Sequence, residues 1–263
     1  DLVRSRGLGD VYKRQRPDRP RIWRIRCRRI RVNLPNPPNP RSIFTWVSDS
    51  ILVWGEMTMP ASLDEDTLRH AVATLADRDP DLARIVTRLG PPPLWAREPG
   101  FPTLILLILE QQVSLASARA AFNRLADRLG AVTPAAFLEL DDDELRAVGF
   151  SRQKTGYGRH LAQAIVDGRC DPDALPMLDD DGVRAELVKL KGIGPWTAEI
   201  YLLMVLGRPD AWPVHDLALA VAAQAVKGLP ARPTPVELAA LAEPWRPWRA
   251  VAARLLWHHY LAR

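Results

Sequence analysis

The stretch Leu190-Lys191-Gly192-Ile193-Gly194-Pro195-Trp196-Thr197-Ala198 constrains this chain more than any other. A polar–apolar helical pattern over residues 182–190 runs into it, and a second pattern over 195–206 runs out. Two glycines within three residues permit positive φ and close backbone approach. Pro195 suits the first turn of a following helix, where its missing N–H costs nothing. Ile193 then becomes the apolar plug between the helices. The pattern predicts a helix–hairpin–helix whose free N–H groups gather at the start of the second helix. That geometry favours an anion, a phosphate above all. The same residues also describe an ordinary αα-hairpin closed by a glycine turn.

The text around this stretch reads as helical. The body is predicted all-α, with about ten helices, short loops and no convincing strand alternation. Ser62-Leu63-Asp64-Glu65 reads as a capping box opening a helix with Leu68, Ala71, Val72 and Leu75 on one face. A short helix over 81–89 and a Pro-rich loop carrying Trp95 follow. A long apolar pattern then covers 101–129, with a break near Ser114. Asp141-Asp142-Asp143-Glu144 reads as a solvated helix start that complements the dipole, not as a metal site. Gly156-Tyr157-Gly158 sits inside helical text with no strand before it, which makes it a poor nucleotide loop. Thr234-Pro235-Val236-Glu237 caps a further helix, and Trp245 and Trp248 read as core.

Charge does not locate the function. Residues 1–56 hold 13 Lys/Arg against 5 Asp/Glu, whereas the rest of the chain holds 23 against 26. The basic excess therefore belongs to the Arg- and Pro-rich N-terminal segment, and DNA binding must be argued from local groups. Gly7 to Gln15 resembles translated adapter sequence. Residues 1–56 are thus expected to be a disordered or non-native extension, with the native start at Met57 or Met59. The apolar run Leu104 to Leu109, like the others in the chain, is far short of the roughly 20 residues of a spanning helix. Cys27 and Cys170 cannot build a disulfide framework or a Cys-rich metal site.

Asp216 is the candidate for chemistry. It follows Gly194 by 22 residues, far enough for a helix and a loop that turns back. On its own, a carboxylate after Trp212-Pro213-Val214-His215 also reads as a plain N-cap. Taken together, the hairpin and Pro213-Val214-His215-Asp216 resemble the helix–hairpin–helix–Gly/Pro–Asp (HhH-GPD) DNA glycosylases, in particular the 3-methyladenine DNA glycosylase II branch. Further blocks agree in order: Ile108 to Ser114, Leu145 to Lys154, Trp245 to Arg249, and Leu256-Trp257. The resemblance covers roughly residues 63–260.

That resemblance implies a fold of two helical subdomains flanking a DNA-binding cleft, with no iron–sulfur cluster. One subdomain would span about 101–206 and the other 57–100 plus 207–263, within a 57–263 glycosylase domain. It implies a monofunctional hydrolase that flips an alkylated purine out of double-stranded DNA and cuts its N-glycosidic bond. Asp216 would face the developing oxocarbenium ion, and Trp196 and Trp257 would wall the base pocket. Trp196 stands where lyase-competent relatives carry a catalytic Lys, so no Schiff base is expected. Gln112 would fill the gap left by the flipped nucleotide, and Glu110 would point away. Backbone N–H groups of Gly192, Gly194, Trp196 and Thr197 would hold a phosphate, and Lys191 reads as a solvated or phosphate-facing cation. No cofactor is implied beyond a Na+ or K+ on the carbonyls of Val188, Leu190 and Ile193. The partner is damaged double-stranded DNA, bound by a monomer in the bacterial cytoplasm and nucleoid. The alternatives are a non-catalytic hairpin DNA-binding protein, or a glycosylase for uracil, hypoxanthine or an oxidised purine.

Overall fold

The computed structural model describes residues 62–262; the expectations for residues 1–56 and for the start at Met57 or Met59 lie outside the described residues. Those residues are helical throughout, with no strand among them. In chain order the α-helices are α1 (Glu65–Arg78), α2 (Pro80–Leu89), α3 (Phe101–Glu110), α4 (Leu115–Leu129), α5 (Pro134–Glu139) and α6 (Asp142–Val148). They continue as α7 (Arg152–Val166), α8 (Asp180–Val188), α9 (Pro195–Met204), α10 (Leu217–Lys227), α11 (Pro235–Ala242) and α12 (Arg249–Leu261). Single 3-10 turns lie at Leu175–Met177 and Glu243–Trp245.

Three helices are buried nearly all round. In α3 eight residues are buried, from Phe101 to Glu110. The run Ala250 to Trp257 of α12 is wholly buried, as is most of α9. Helices apolar on every face belong at the centre of a layered body, and the amphipathic ones wrap these. Thus α1 and α2 pack on each other and on α12, α10 packs on α12, and α5 packs on α7. The Gly156-x-Gly158 pair is helical, and the second glycine has a packing reason. A Cβ at Gly158 would stand 2.6 Å from the ring of Phe137, so its absence lets α5 and α7 close on each other.

The capping logic holds with one correction. Asp141 and Glu144 form a reciprocal box at α6, Thr234 and Glu237 another at α11, and Ser114 caps α4 where the long apolar pattern breaks. Ser62, however, does not cap α1. Its hydroxyl donates to Leu206 O (3.1 Å) and the Leu63 N–H to Gly207 O (2.7 Å), so the chain stays extended across the end of α9. The box forms two residues later, between Asp64 and Thr67. The hairpin helices also end two residues earlier than their patterns, at Val188 and Met204.

Asp79 joins distant parts of the chain. It caps α2 and is 8% exposed. Its carboxylate accepts from Lys227 Nζ (2.6 Å) at the end of α10 and from Trp245 Nε1 (2.7 Å). Trp245 is buried, as its core reading requires, and Trp248 packs edge-on against His70. Burial opposes the charge on Asp79, but Lys227 and the indole outweigh it and hold the carboxyl below its ordinary 3.8. A carboxyl depressed in the folded state stabilises at neutral pH, and that contribution disappears as pH falls through its folded pKa. Asp79→Asn should therefore lower stability by about 2–4 kcal/mol at pH 7. The difference from wild type should shrink below about pH 4. Urea unfolding at both pH values measures this, and an equal loss at both would rule out the ion pair as its source.

Candidate active site

The hairpin forms as its sequence demands, with one refinement. Only Gly192 uses positive φ, at +92°; Gly194 is extended at φ −97° and ψ 179° and is the N-cap of α9. A Cβ on Gly192 would lie 2.2 Å from the ring of Tyr157 on α7, whereas one on Gly194 would meet nothing within 4 Å. The two glycines thus have different tasks. Gly192 lets the turn press against α7, and Gly194 leaves open space over the start of α9. Ile193 is buried between the helices at 4% exposure, and Lys191 is exposed. Pro195 takes the first helical position, and the N–H groups of Trp196 and Thr197 in that first turn have no intrahelical acceptor. The Thr197 side chain is buried and its hydroxyl accepts from Gln111, so only its backbone can serve a ligand.

Asp216 is both an N-cap and a meeting point. Its Oδ1 accepts from Leu219 N (2.7 Å), which opens α10. Trp196 Nε1 from α9 donates to Oδ2 (3.0 Å), and Trp257 Nε1 from α12 donates to Oδ1 (3.1 Å). The structure therefore brings the three residues Asp216, Trp196 and Trp257 into direct contact. Each indole presents its N–H edge to the carboxylate. None of the described ion pairs includes Asp216, so its partners orient it without neutralising its charge.

The loop before Asp216 is held by a residue the sequence reading missed. Glu199, one turn beyond Trp196 on α9, accepts from Trp212 N (3.0 Å) through Oε2 and from Arg184 Nε (2.5 Å) through Oε1. Trp212 is buried and its indole donates to Leu238 O (3.1 Å). The i, i+3 spacing of Trp196 and Glu199 was the available signal, since it puts both on one helix face. A second missed group is the loop after α2. Trp95 has φ +50° and its ring lies 6.5 Å from that of Trp257. Arg254, 1% exposed, clamps this loop by donating to Leu94 O (2.9 Å) and to Leu203 O (2.7 Å) of α9. Burial pushes the Arg254 guanidinium down to about 10.

Gln112 stands exposed between α3 and α4 with φ +59°, beside Val113 at 46% exposure. Glu110 points inward, 8% exposed, and pairs with Arg97 at 2.8 Å. A cavity of about 340 Å³ lies between this turn and the hairpin, bordered by Gln112, Gln153, Tyr157 and Gly194. Among the described residues no cluster of three or more His, Cys, Asp or Glu could hold a metal ion, and no helix is long and apolar enough to cross a membrane.

Among the described residues this combination is an all-helical fold built around a helix–hairpin–helix with a carboxylate set against it. Residues 105–247 match the sequence pattern of the HhH-GPD superfamily base excision DNA repair proteins, and the chain belongs to that superfamily. It is 30% identical over 158 residues to YfjP of Bacillus subtilis, covering 57% of this chain and 55% of that protein. It is 33% identical over 208 residues to AlkA of Mycobacterium tuberculosis, covering 74% of this chain and 40% of that one. The chain thus spans about half the length of these two relatives. The solved structure of the Schizosaccharomyces pombe 3-methyladenine DNA glycosylase Mag1 in complex with abasic DNA aligns with a TM-score of 0.66 at 28% identity, covering 72% of this chain and 95% of that one.

The glycine geometry gives a direct test. Gly192→Ala should cost roughly 1–3 kcal/mol through the Tyr157 clash and the positive φ. Gly194→Ala should unfold close to wild type. Thermal unfolding of the pair checks this, and equal melting temperatures would contradict the assigned division of roles.

Proposed function

We propose that the chain is a monofunctional DNA glycosylase that hydrolyses the N-glycosidic bond of alkylated purines, of the 3-methyladenine type, in double-stranded DNA. The observation that carries this reading is the Asp216 carboxylate held by two indole N–H groups beside the hairpin. As the C1′–N bond breaks, the sugar gains oxocarbenium character, and an oriented, un-neutralised carboxylate stabilises that cation. The same carboxylate orients water for attack. Purines alkylated at N3 or N7 are cationic, and the aromatic faces of Trp196 and Trp257 attract them by cation–π contact. Such bases are also good leaving groups, which fits a site with a single carboxylate. The name of the Schizosaccharomyces pombe relative supports the substrate class.

The backbone N–H groups at Gly194, Trp196 and Thr197 would hold a phosphate of the lesion strand, with Gly192 shaping the turn. Carbonyl oxygens of Val188, Leu190 and Ile193 border the same turn. Such oxygens suit a Na+ or K+, and Leu190 O already accepts the Ile193 N–H at 3.0 Å, which leaves it one lone pair for an ion. Gln112 would enter the gap left by the flipped nucleotide. Trp196 offers no amine at the position of a lyase nucleophile, so the strand stays intact. The enzyme would act as a monomer on DNA in the bacterial cytoplasm.

Asp216→Asn keeps the oxygen that accepts from Leu219 N and Trp257 Nε1 and loses the acceptor for Trp196 Nε1. The variant should therefore fold with a lowered melting temperature and still bind lesion DNA, while single-turnover base release falls by at least about a hundredfold. Release at the wild-type rate would sink the assignment. A panel of duplexes bearing one lesion each (alkylpurine, uracil, hypoxanthine or oxidised purine) should yield strand breaks for alkylpurines only, and only after alkali. Breaks without alkali, or a covalent adduct trapped by borohydride, would contradict the hydrolytic mechanism.

A further inference from the structure

The exposed turn that carries Gln112 is braced from several sides. The helical ladder of α3 stops at Glu110 and that of α4 starts at Leu115. Between them Gln112 sits at φ +59°, a conformation that residues with a Cβ seldom adopt. Such a conformation persists where the surroundings over-determine it, and here three side chains do so. Lys154 Nζ donates to Leu109 O (2.7 Å), one of the carbonyls left without an intrahelical partner by the end of α3. Glu110 is tied to Arg97 by a buried ion pair at 2.8 Å. Gln111 Nε2 donates to Gly192 O (2.8 Å) and reaches Thr197 Oγ1 (3.2 Å).

Of these three ties, the Gln111 amide alone runs from the turn to the hairpin. It ends on the carbonyl of the glycine that bends the hairpin and on the hydroxyl in the first turn of α9. We infer that Gln111 is a positioning residue that fixes the Gln112 turn against the hairpin, so that the group entering the duplex and the groups holding its backbone move as one rigid piece. The inference rests on the reading of the site as a base-flipping one. Gln111 touches none of the reacting groups. Its effect runs through Gln112, whose side chain must hold open the gap left by the extruded nucleotide. A wedge on a loose turn would yield to the base stack instead of displacing it. The contribution of Gln111 therefore grows with the work of opening the pair, and vanishes where the pair is already open.

Two variants test this: Gln111→Ala, which removes both bonds, and Gln111→Glu, which keeps the size but sets an acceptor against Gly192 O. Single-turnover release of an alkylated purine is measured twice, with the lesion in a full base pair and with it opposite a tetrahydrofuran abasic analogue. Release from the paired lesion should fall about tenfold in both variants, and release opposite the analogue should stay within about twofold of wild type. Equal losses on both duplexes, or none on either, overturn the inference. A wild type that releases no base from any duplex refutes the glycosylase reading instead. The inference is then judged by binding, where the preference of wild type for an abasic over an intact duplex should drop about tenfold in the variants. A preference that survives in a folded variant overturns it. Should Gln111→Ala fail to fold, Gln111→Glu carries the same comparison.

Discussion

The carboxylate of Asp216 and the three N–H groups it accepts are the junction on which the site depends. The donors come from α9, α10 and α12, and the two indoles lie 20 and 41 residues away in sequence. A half-buried carboxylate without partners would be costly, because its water would be lost without replacement. The packing of three helices is therefore what makes its position tolerable. The dependence also runs the other way. Trp196 and Trp257 are largely removed from solvent, and buried indole N–H groups need acceptors. One side chain meets the polar needs of two tryptophans and a helix start.

Behind this junction lies a set of buried and half-buried charges that tie distant segments of the chain together. Arg254 holds the loop that presents Trp95, Glu199 holds the loop that leads to Asp216, and Asp79 holds the end of α10. Arg208, 3% exposed, does the same for the segment before α8 by donating to Pro176 O (3.0 Å) and Leu178 O (2.8 Å). Loops carry backbone groups that no regular ladder satisfies. In this molecule long charged side chains satisfy them from the inside, which fixes loops that would otherwise be the least ordered parts of a helical body.

How much of this the sequence made legible follows from the range of each interaction. Caps, helix breaks and the hairpin are local, and Ser114, Asp141, Thr234 and Pro195 announced them. Asp216, Trp196, Trp257 and Gln112 were legible through the ordered blocks of the family resemblance, and the structure joins the first three directly. Ser62 misled because its hydroxyl found a carbonyl 144 residues away, a competitor that no local pattern displays. Arg254 and Gln111 were illegible for the same reason, and Glu199 showed only its spacing from Trp196, which says nothing of the Trp212 N–H it reaches. Each is an ordinary polar residue, on a helix or, for Gln111, just past the end of one, until the fold brings a distant backbone group within reach. Gly192 and Gly194 looked equivalent, and the fold distinguishes them by the positive φ of Gly192 and the Tyr157 ring beside it.

That Asp216 also caps α10 has a consequence for how sequences of this kind are read. A helix start selects Asp, Asn, Ser or Thr for reasons of architecture alone. A descendant that had lost its chemistry would still be under pressure to keep a short polar residue there, and an aspartate could outlive the reaction it once served. The acid by itself is thus a poor marker of a working site. The tryptophans opposite it are better markers, because no helix requires an indole to begin.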